Sequence, residues 1–256
     1  MIKSSNLDLL RLFGGTAMLT KQVISEIVRP PLYFRLIVEQ MYLIGWQSLP
    51  LVIVTAGSTG MVMALQFGLG LEKFGGKLYI PKLVSISIVR EMGPVFTCLV
   101  LAARVGAGMA SEIGSMTVTQ QIDAIRALGT SPIKKIVIPR MIACVIAIPL
   151  LSVMANFIGI LGGLMVGAND LGLDPVFYIQ KVLNTLWLPD FLSGFMKTPV
   201  FAFIIGISAC YFGLTVKGGT QGVGNATTKA VVTASIFILV GDYFLTKFYW
   251  LFEQWL

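Results

Sequence analysis

RMIACVIAIPLLSVMANFIGILGGLMVGA, residues 140–168, holds one charged side chain, at its first position. Crossing a hydrocarbon layer of roughly 30 Å takes about 20 mostly apolar residues, so this stretch is long enough to span a bilayer. Four others qualify: 49–71, 83–113, 191–216 and 230–252. An unsatisfied backbone polar group in lipid costs several kcal/mol, and these runs are apolar throughout rather than alternating, so helices satisfy them and strands do not. Composition agrees: 256 residues, 56% hydrophobic and only 12% charged, with a mean hydropathy of +0.85. The expectation is an all-α, polytopic membrane protein. A five-helix transmembrane domain occupies 49–256, and an interfacial helical region occupies 1–48.

Lys and Arg fall unevenly about these spans. With the amino end cytoplasmic, the inner segments hold Lys3, Arg11, Lys21, Arg29, Arg35, Arg126, Lys134, Lys135, Arg140, Lys217 and Lys229. The outer ones hold only Lys73, Lys77, Lys82 and Lys181. The positive-inside tendency then puts the amino terminus in the cytoplasm and the carboxyl terminus in the periplasm. The net charge of +7 reads as topology and anionic-lipid contact, with no nucleic-acid partner. Residues 1–48 lack a signal-peptide pattern. They suit a helix lying in the interface, with Leu9, Leu10, Phe13, Ala17, Val23, Ile24 and Ile27 toward lipid and Arg11, Lys21, Glu26 and Arg29 toward water. Pro30-Pro31 would end it.

Several chemistries are excluded. There is no histidine, which removes the commonest metal ligand and general base. Cys98, Cys144 and Cys210 lie inside spans without metal-type spacing and read as small apolar residues. No serine sits in a nucleophile-elbow context. No catalytic residue and no metal site is expected. A nucleotide-binding loop needs G-x-x-x-x-G-K-[S/T], and GGTQGVGNATTK (218–229) has Asn225 in place of the lysine. It reads instead as a flexible cytoplasmic turn.

Between spans two and three lies TVTQQIDAIRALGTSPIKKIVIPR, residues 117–140. Val118, Ile122, Ile125 and Leu128 recur at helical spacing, while Gln121, Asp123 and Arg126 lie elsewhere on the wheel. Thr117 and Gln120 match a capping box, and Gly129 with Ser131-Pro132 matches a stop, giving a helix over 117–128. It is too short and too polar to cross a bilayer. A solvated connection and a docking helix both remain open; the apolar stripe is what a protein partner would bury.

Charges inside spans call for pairing and a functional hypothesis. Arg90, Glu91, Lys197 and Asp242 all fall roughly 9–15 Å below the outer surface, counting 1.5 Å per residue. They sum to zero, with Lys197–Asp242 the first expected pair. Bracing the bundle and serving transport are both open to them. Gly93-Pro94 predicts a kink beside the charged pair. Ala155, Gly159, Gly163 and Gly167 repeat every four residues, as do Gly60, Ala64 and Gly68, so each set offers a stripe for close helix approach. Residues 169–190 predict a short amphipathic helix on the outer face. With Trp250 and Trp255 it would form an aromatic belt and a landing surface for a periplasmic partner. Five helices make little wall for a two-tailed lipid, so a homodimer is expected.

GMVxxLQ at 60–66, REMGP at 90–94, ARVGAGMASEIGSM at 103–116 and AxxxLGxxPxxxxxxPR at 124–140 resemble the MlaE (YrbE-like) permeases. These are membrane subunits of bacterial ABC transporters that move phospholipids between inner and outer membranes. The resemblance implies that 117–128 is a coupling helix docking on a cytoplasmic ABC ATPase dimer. Glu112, Val118, Ile122, Asp123, Ile125, Arg126 and Leu128 would lie at or near that contact. ATP and Mg would sit on the ATPase, with no cofactor in this chain. A periplasmic MCE-type lipid-binding ring, sometimes a small cytoplasmic accessory subunit, and the bacterial inner membrane are implied in the same way. The resemblance also puts span one at the lipid pocket, with Leu65, Gln66 and Leu69 as contacts. The expected function is a non-catalytic phospholipid permease subunit; the alternative is an autonomous ion-coupled carrier relaying charge through Arg90, Glu91, Lys197 and Asp242.

Overall fold

A computed structural model describes the backbone of residues 2–27 and 33–255 and the side chains of 12–27 and 33–254. The described residues form helices and turns with no strand. The helices are α1 (Ile2–Ile27), α2 (Phe34–Ile44), α3 (Leu49–Glu72), α4 (Ile80–Ser87), α5 (Gly93–Leu101), α6 (Ala107–Val118), α7 (Gln121–Ala127), α8 (Ile138–Asn169), α9 (Pro175–Thr185), α10 (Leu188–Leu214) and α11 (Gly219–Trp255). Among the described residues, five stretches are long and apolar enough to cross a membrane: Phe34–Glu72, Lys77–Val118, Ile133–Asn169, Leu188–Leu214 and Gly219–Gln254. The chain divides into two compact units.

The first unit holds Met1–Ile44, Leu101–Ile146 and Ala202–Phe237. Here α1 packs against a π-turn at Ile133–Val137. Leu19 and Val23 are buried, so Val23 faces protein rather than lipid. Glu26 is half-buried and accepts a hydrogen bond from Ser131 rather than facing water. Phe13 and Ile24 stay exposed, with Phe13 edge-on to Phe237 at 5.8 Å. The expected contacts of Leu9 and Leu10 and the stop at Pro30-Pro31 lie outside the described residues. Glycines allow close approach within this unit, Gly213 against Ile113 and Gly206 against Met141. Cys144 and Cys210 are free and buried there, as Cys98 is in the other unit.

The second unit holds Gly45–Val100, Ala147–Phe201 and Ile238–Leu256. Its two small-residue stripes meet each other. A methyl group on Gly60 would overlap the carbonyl of Gly159, and one on Gly162 would overlap the carbonyl of Gly57. The backbones of α3 and α8 therefore touch, the contact small residues permit between helices in lipid. Alongside, Ala64, Ile80, Val84, Ile88, Val166, Tyr178 and Val182 form a buried apolar cluster. α9 joins it through Tyr178 and Val182, and Asp174 caps α9 by accepting from the Phe177 N–H at 2.8 Å. The Tyr178 hydroxyl is buried without a hydrogen-bond partner. Burial pushes its pKa up to about 12. The outer side of α9 leaves Val176, Ile179 and Leu183 exposed, and Trp187 just beyond it, with Trp250, is exposed too. The side chain of Trp255 lies outside the described residues.

Three local expectations are corrected. The 117–128 helix is two helices: Thr117 belongs to α6, and Gln120 breaks the chain with a left-handed φ of 59° before α7 begins. Thr117 makes no capping box, because its hydroxyl donates to the carbonyls of Ile113 at 2.9 Å and Gly213 at 3.0 Å. The 218–229 stretch is not a loop. Gly218 and Gly219 turn the chain at φ 91° and 66°, and α11 starts there and runs through Asn225. Span two is interrupted by π-turns at Ile88–Met92 and Ala102–Gly106. The kink expected at Pro94 takes the form of the first of these widened turns, since a proline lacks the N–H that a regular ladder needs.

Candidate functional site

Lys197 lies on α10 within an apolar helix, and an ammonium there must be fully partnered to remain charged. It is 1% exposed. Its Nζ reaches Glu91 Oε2 at 2.7 Å, Thr246 Oγ1 at 2.7 Å, Asp242 Oδ1 at 3.0 Å and the carbonyl of Arg90 at 3.3 Å. An ammonium has three protons, so the longest contact is a shared one. The Thr246 hydroxyl in turn donates to Glu91 Oε1 at 3.2 Å. The Arg90 carbonyl is available because Pro94, four residues on, has no N–H to give it. The π-turn at Ile88–Met92 places this carbonyl, the guanidinium of Arg90 and the carboxylate of Glu91 in one region. Two glycines allow the packing around it. A side chain at Gly93 would collide with Asn156 Oδ1, and one at Gly194 with the carbonyl of Val89.

The Arg90 side chain turns to partners the sequence did not point to. Its Nε donates to Asp190 Oδ1 at 3.1 Å, and its guanidinium also pairs with Glu253. Asp190 additionally accepts from the backbone N–H of Trp187 at 3.0 Å. The four expected charges still sum to zero, but the structure joins two further carboxylates to them. The paired set has two cations, Arg90 and Lys197, and four carboxylates, Glu91, Asp190, Asp242 and Glu253. A cavity of about 390 Å³ opens on Arg90, Glu91, Lys197 and Glu253 of this set and is lined also by Lys247, Tyr243, Tyr249 and Trp250. It presents fixed charges of both signs beside aromatic surface. Leu65, Gln66 and Leu69 are exposed on α3 and do not line this cavity.

The other candidate residues surround α7. Ile122 is 4% exposed and buried within its own chain, whereas Leu128 is 81% exposed. Val118 and Ile125 are half-buried. The stripe read as one partner-facing surface is thus split, and Ile122 is a core residue. Asp123 and Arg126 are exposed and pair with each other at 3.4 Å. Glu112 pairs with buried Arg140 at 2.9 Å, joining α6 to the start of α8. Arg140 Nη1 also donates to the carbonyl of Ile136 at 3.0 Å.

The family model described as Permease MlaE matches residues 37–248. The chain belongs to the MlaE permease family. It is 42% identical over 236 residues to a probable ABC transporter permease protein of Rickettsia felis, covering 92% of this chain and 91% of that one. A probable ABC transporter permease protein of Synechocystis is 39% identical over 236 residues, covering 92% and 89%. The intermembrane phospholipid transport system permease protein MlaE of Haemophilus influenzae is 35% identical over 215 residues, covering 84% and 82%. This MlaE-family chain is a multi-pass membrane protein and the permease component of an ABC transporter.

In this MlaE permease, one signal for the missed partners was present in the sequence. Asp242, Thr246 and Glu253 are spaced i, i+4 and i+11, which puts them on one face of a continuous helix. Ending span five at residue 252 hid Glu253. Asp190 carried no such signal, because its role depends on how α10 begins after Trp187. Arg140 was visible as an inner-side positive charge and as the end of the 124–140 motif, but not as the partner of Glu112.

Proposed function

We propose that this permease forms the membrane path of a transporter that moves phospholipids between the inner and outer bacterial membranes. A separate cytoplasmic ABC ATPase dimer, carrying ATP and Mg, drives it. The chain itself is non-catalytic and assembles as a homodimer in the inner membrane, its amino end cytoplasmic and its carboxyl end periplasmic. An MCE-type ring on the periplasmic side hands lipid on, with room for a small cytoplasmic accessory subunit. The observation that carries this reading is the charged cavity around Lys197, set in segments apolar enough to span a bilayer. A phospholipid headgroup carries phosphate together with amine or hydroxyl groups. Arg90 and Lys247 answer the phosphate, Glu91 and Glu253 answer the amine or hydroxyls, Lys197 holds the carboxylates in place, and the aromatic side chains suit the glycerol boundary. The phospholipid transport named for the Haemophilus relative supports the same substrate class. On the inner side, Leu128 with Val118, Ile125, Asp123 and Arg126 meets the ATPase, and Glu112 supports that surface through Arg140. Leu65, Gln66 and Leu69 contact acyl chains along α3.

Reconstitution tests this. The permease is placed in liposomes with and without its ATPase, and transfer of a fluorescent phospholipid to acceptor vesicles is followed. Transfer needing both ATPase and ATP is the expected result. Transport by the permease alone under an ion gradient would instead establish the carrier reading, for which the connected charges of Arg90, Glu91, Lys197 and Asp242 are the motive.

A further inference from the structure

α7 is not a continuation of either flanking helix. Gln120 at φ 59° and Gly129 at φ 72° turn the chain on both sides of it, so its orientation depends on the burial of Ile122 and on what holds its two ends rather than on helical continuity. The entry is held at Thr117, whose hydroxyl reaches the carbonyl of Gly213 at 3.0 Å. The exit is held at Ser131, whose hydroxyl lies 2.8 Å and 3.1 Å from the two carboxylate oxygens of Glu26 on α1. Just past Ser131 comes the π-turn Ile133–Val137, against which α1 packs with Leu19 and Val23 buried.

Glu26 is a poor choice for α1 considered alone. It sits in the last turn of Ile2–Ile27, where the helix dipole disfavours a carboxylate. A hydrogen bond to a charged acceptor is among the stronger kinds, and here it joins segments 105 residues apart. We infer that Glu26 and Ser131 form a latch fixing the exit of the α7 segment to the amino-terminal helix. Glu26 is thereby a positioning residue, acting through Ser131, and α1 becomes part of the device that receives the motor's force. This rests on the proposal that the α7 surface meets an ATPase.

The test uses the complete complex with its ATPase in liposomes and the variants Glu26→Ala, Ser131→Ala, Ser131→Thr and the double alanine. Phospholipid moved per ATP hydrolysed is measured, together with amide hydrogen exchange over residues 121–131. The two single alanine variants are expected to lower lipid moved per ATP by about five-fold or more, the lower edge of ordinary site-to-site coupling. Both should speed exchange in the segment. Ser131→Thr, which keeps the hydroxyl, should restore both readouts, and the double variant should be no worse than the worse single. In a transporting complex, an unchanged ratio overturns the latch whatever exchange shows, and so do effects that add in the double variant. If the wild-type complex moves no lipid with ATP, the proposed function fails; the latch is then judged by exchange alone, where no change in either alanine variant overturns it.

Discussion

Replacing Lys197 with methionine removes the cation and keeps the length of the side chain. Glu91 and Asp242 then face each other without a counter-charge, and the carbonyl of Arg90 loses the donor that stands in for the absent N–H of Pro94. Removing one partner of a buried ion pair costs about 3–5 kcal/mol. The side chains of Glu91 and Asp242 remain 31% and 20% exposed, Glu91 toward the cavity. Water therefore screens part of the repulsion, and the lower end, about 3 kcal/mol, applies. The orphaned carbonyl adds about 1 kcal/mol. Equilibrium unfolding in mixed micelles titrated with SDS, followed by tryptophan fluorescence, should thus register a loss of about 4 kcal/mol. The decisive comparison is the triple variant Lys197→Met, Glu91→Gln, Asp242→Asn. Neutral groups replace the whole set there, and stability should return to within about 1 kcal/mol of wild type, apart from the carbonyl. A single variant as stable as wild type, or a triple variant no better than the single, would refute the account of Lys197 as an obligatory counter-charge.

Gly60→Ala should destabilise by about 1–3 kcal/mol in the same assay, because its methyl group has no space against Gly159. Gly70→Ala, with nothing within 4 Å of the added atom, serves as a neutral control. Leu128→Asp should cut ATP-driven lipid transfer of the assembled transporter at least several-fold while leaving the permease's own unfolding unchanged. Ile122→Asp should destabilise the permease itself by about 3 kcal/mol or more, since it buries a carboxylate in the core; a normal melt for that variant counts against the burial of Ile122. Tyr178→Phe removes a buried hydroxyl without a partner and should be neutral or stabilising by about 1 kcal/mol. The Tyr178 pKa is raised from 10.0 to about 12 on folding. Above pH 10 the unfolded chain gives up this proton before the folded one does. The contribution is therefore whole below pH 10 and disappears as pH rises toward 12. Stability curves of Tyr178→Phe and wild type, compared from pH 9 to 12, should show a shallower alkaline decline in the variant.

Much of the membrane architecture was legible because lipid leaves so few options: long apolar runs had to be helices, and stripes of small residues had to be close contacts. The two stripes of small residues were legible from their matching periods, but that Gly60 meets Gly159 is known only from the structure. Lys197 and Asp242 were recognisable as partners because neither is tolerable alone. What escaped the sequence depends on helix rotation and local winding. Asp190 and Glu253 reach Arg90 only through the way α10 and α11 are turned. The π-turn at Ile88–Met92 has no residue type that announces it, although Pro94 nearby hinted at a disturbance. The capping pattern at Thr117 misled because a threonine hydroxyl can bond back to its own helix as readily as it caps the next. Ile122 shared a period with Leu128, but α7 ends at Ala127 with Leu128 just beyond it, so the two have different surroundings.

The widened turns at Ile88–Met92, Ala102–Gly106 and Ile133–Val137 also bear on which changes of length the chain survives. Each takes up one surplus residue as a bump, leaving the helical faces above and below aligned as though that residue were missing. Deleting a single residue elsewhere in a span swivels everything downstream by about 100° and turns its core face outward. At these three places the same deletion merely irons out the bump. Related permeases that differ in length by one residue inside a span should carry the difference there.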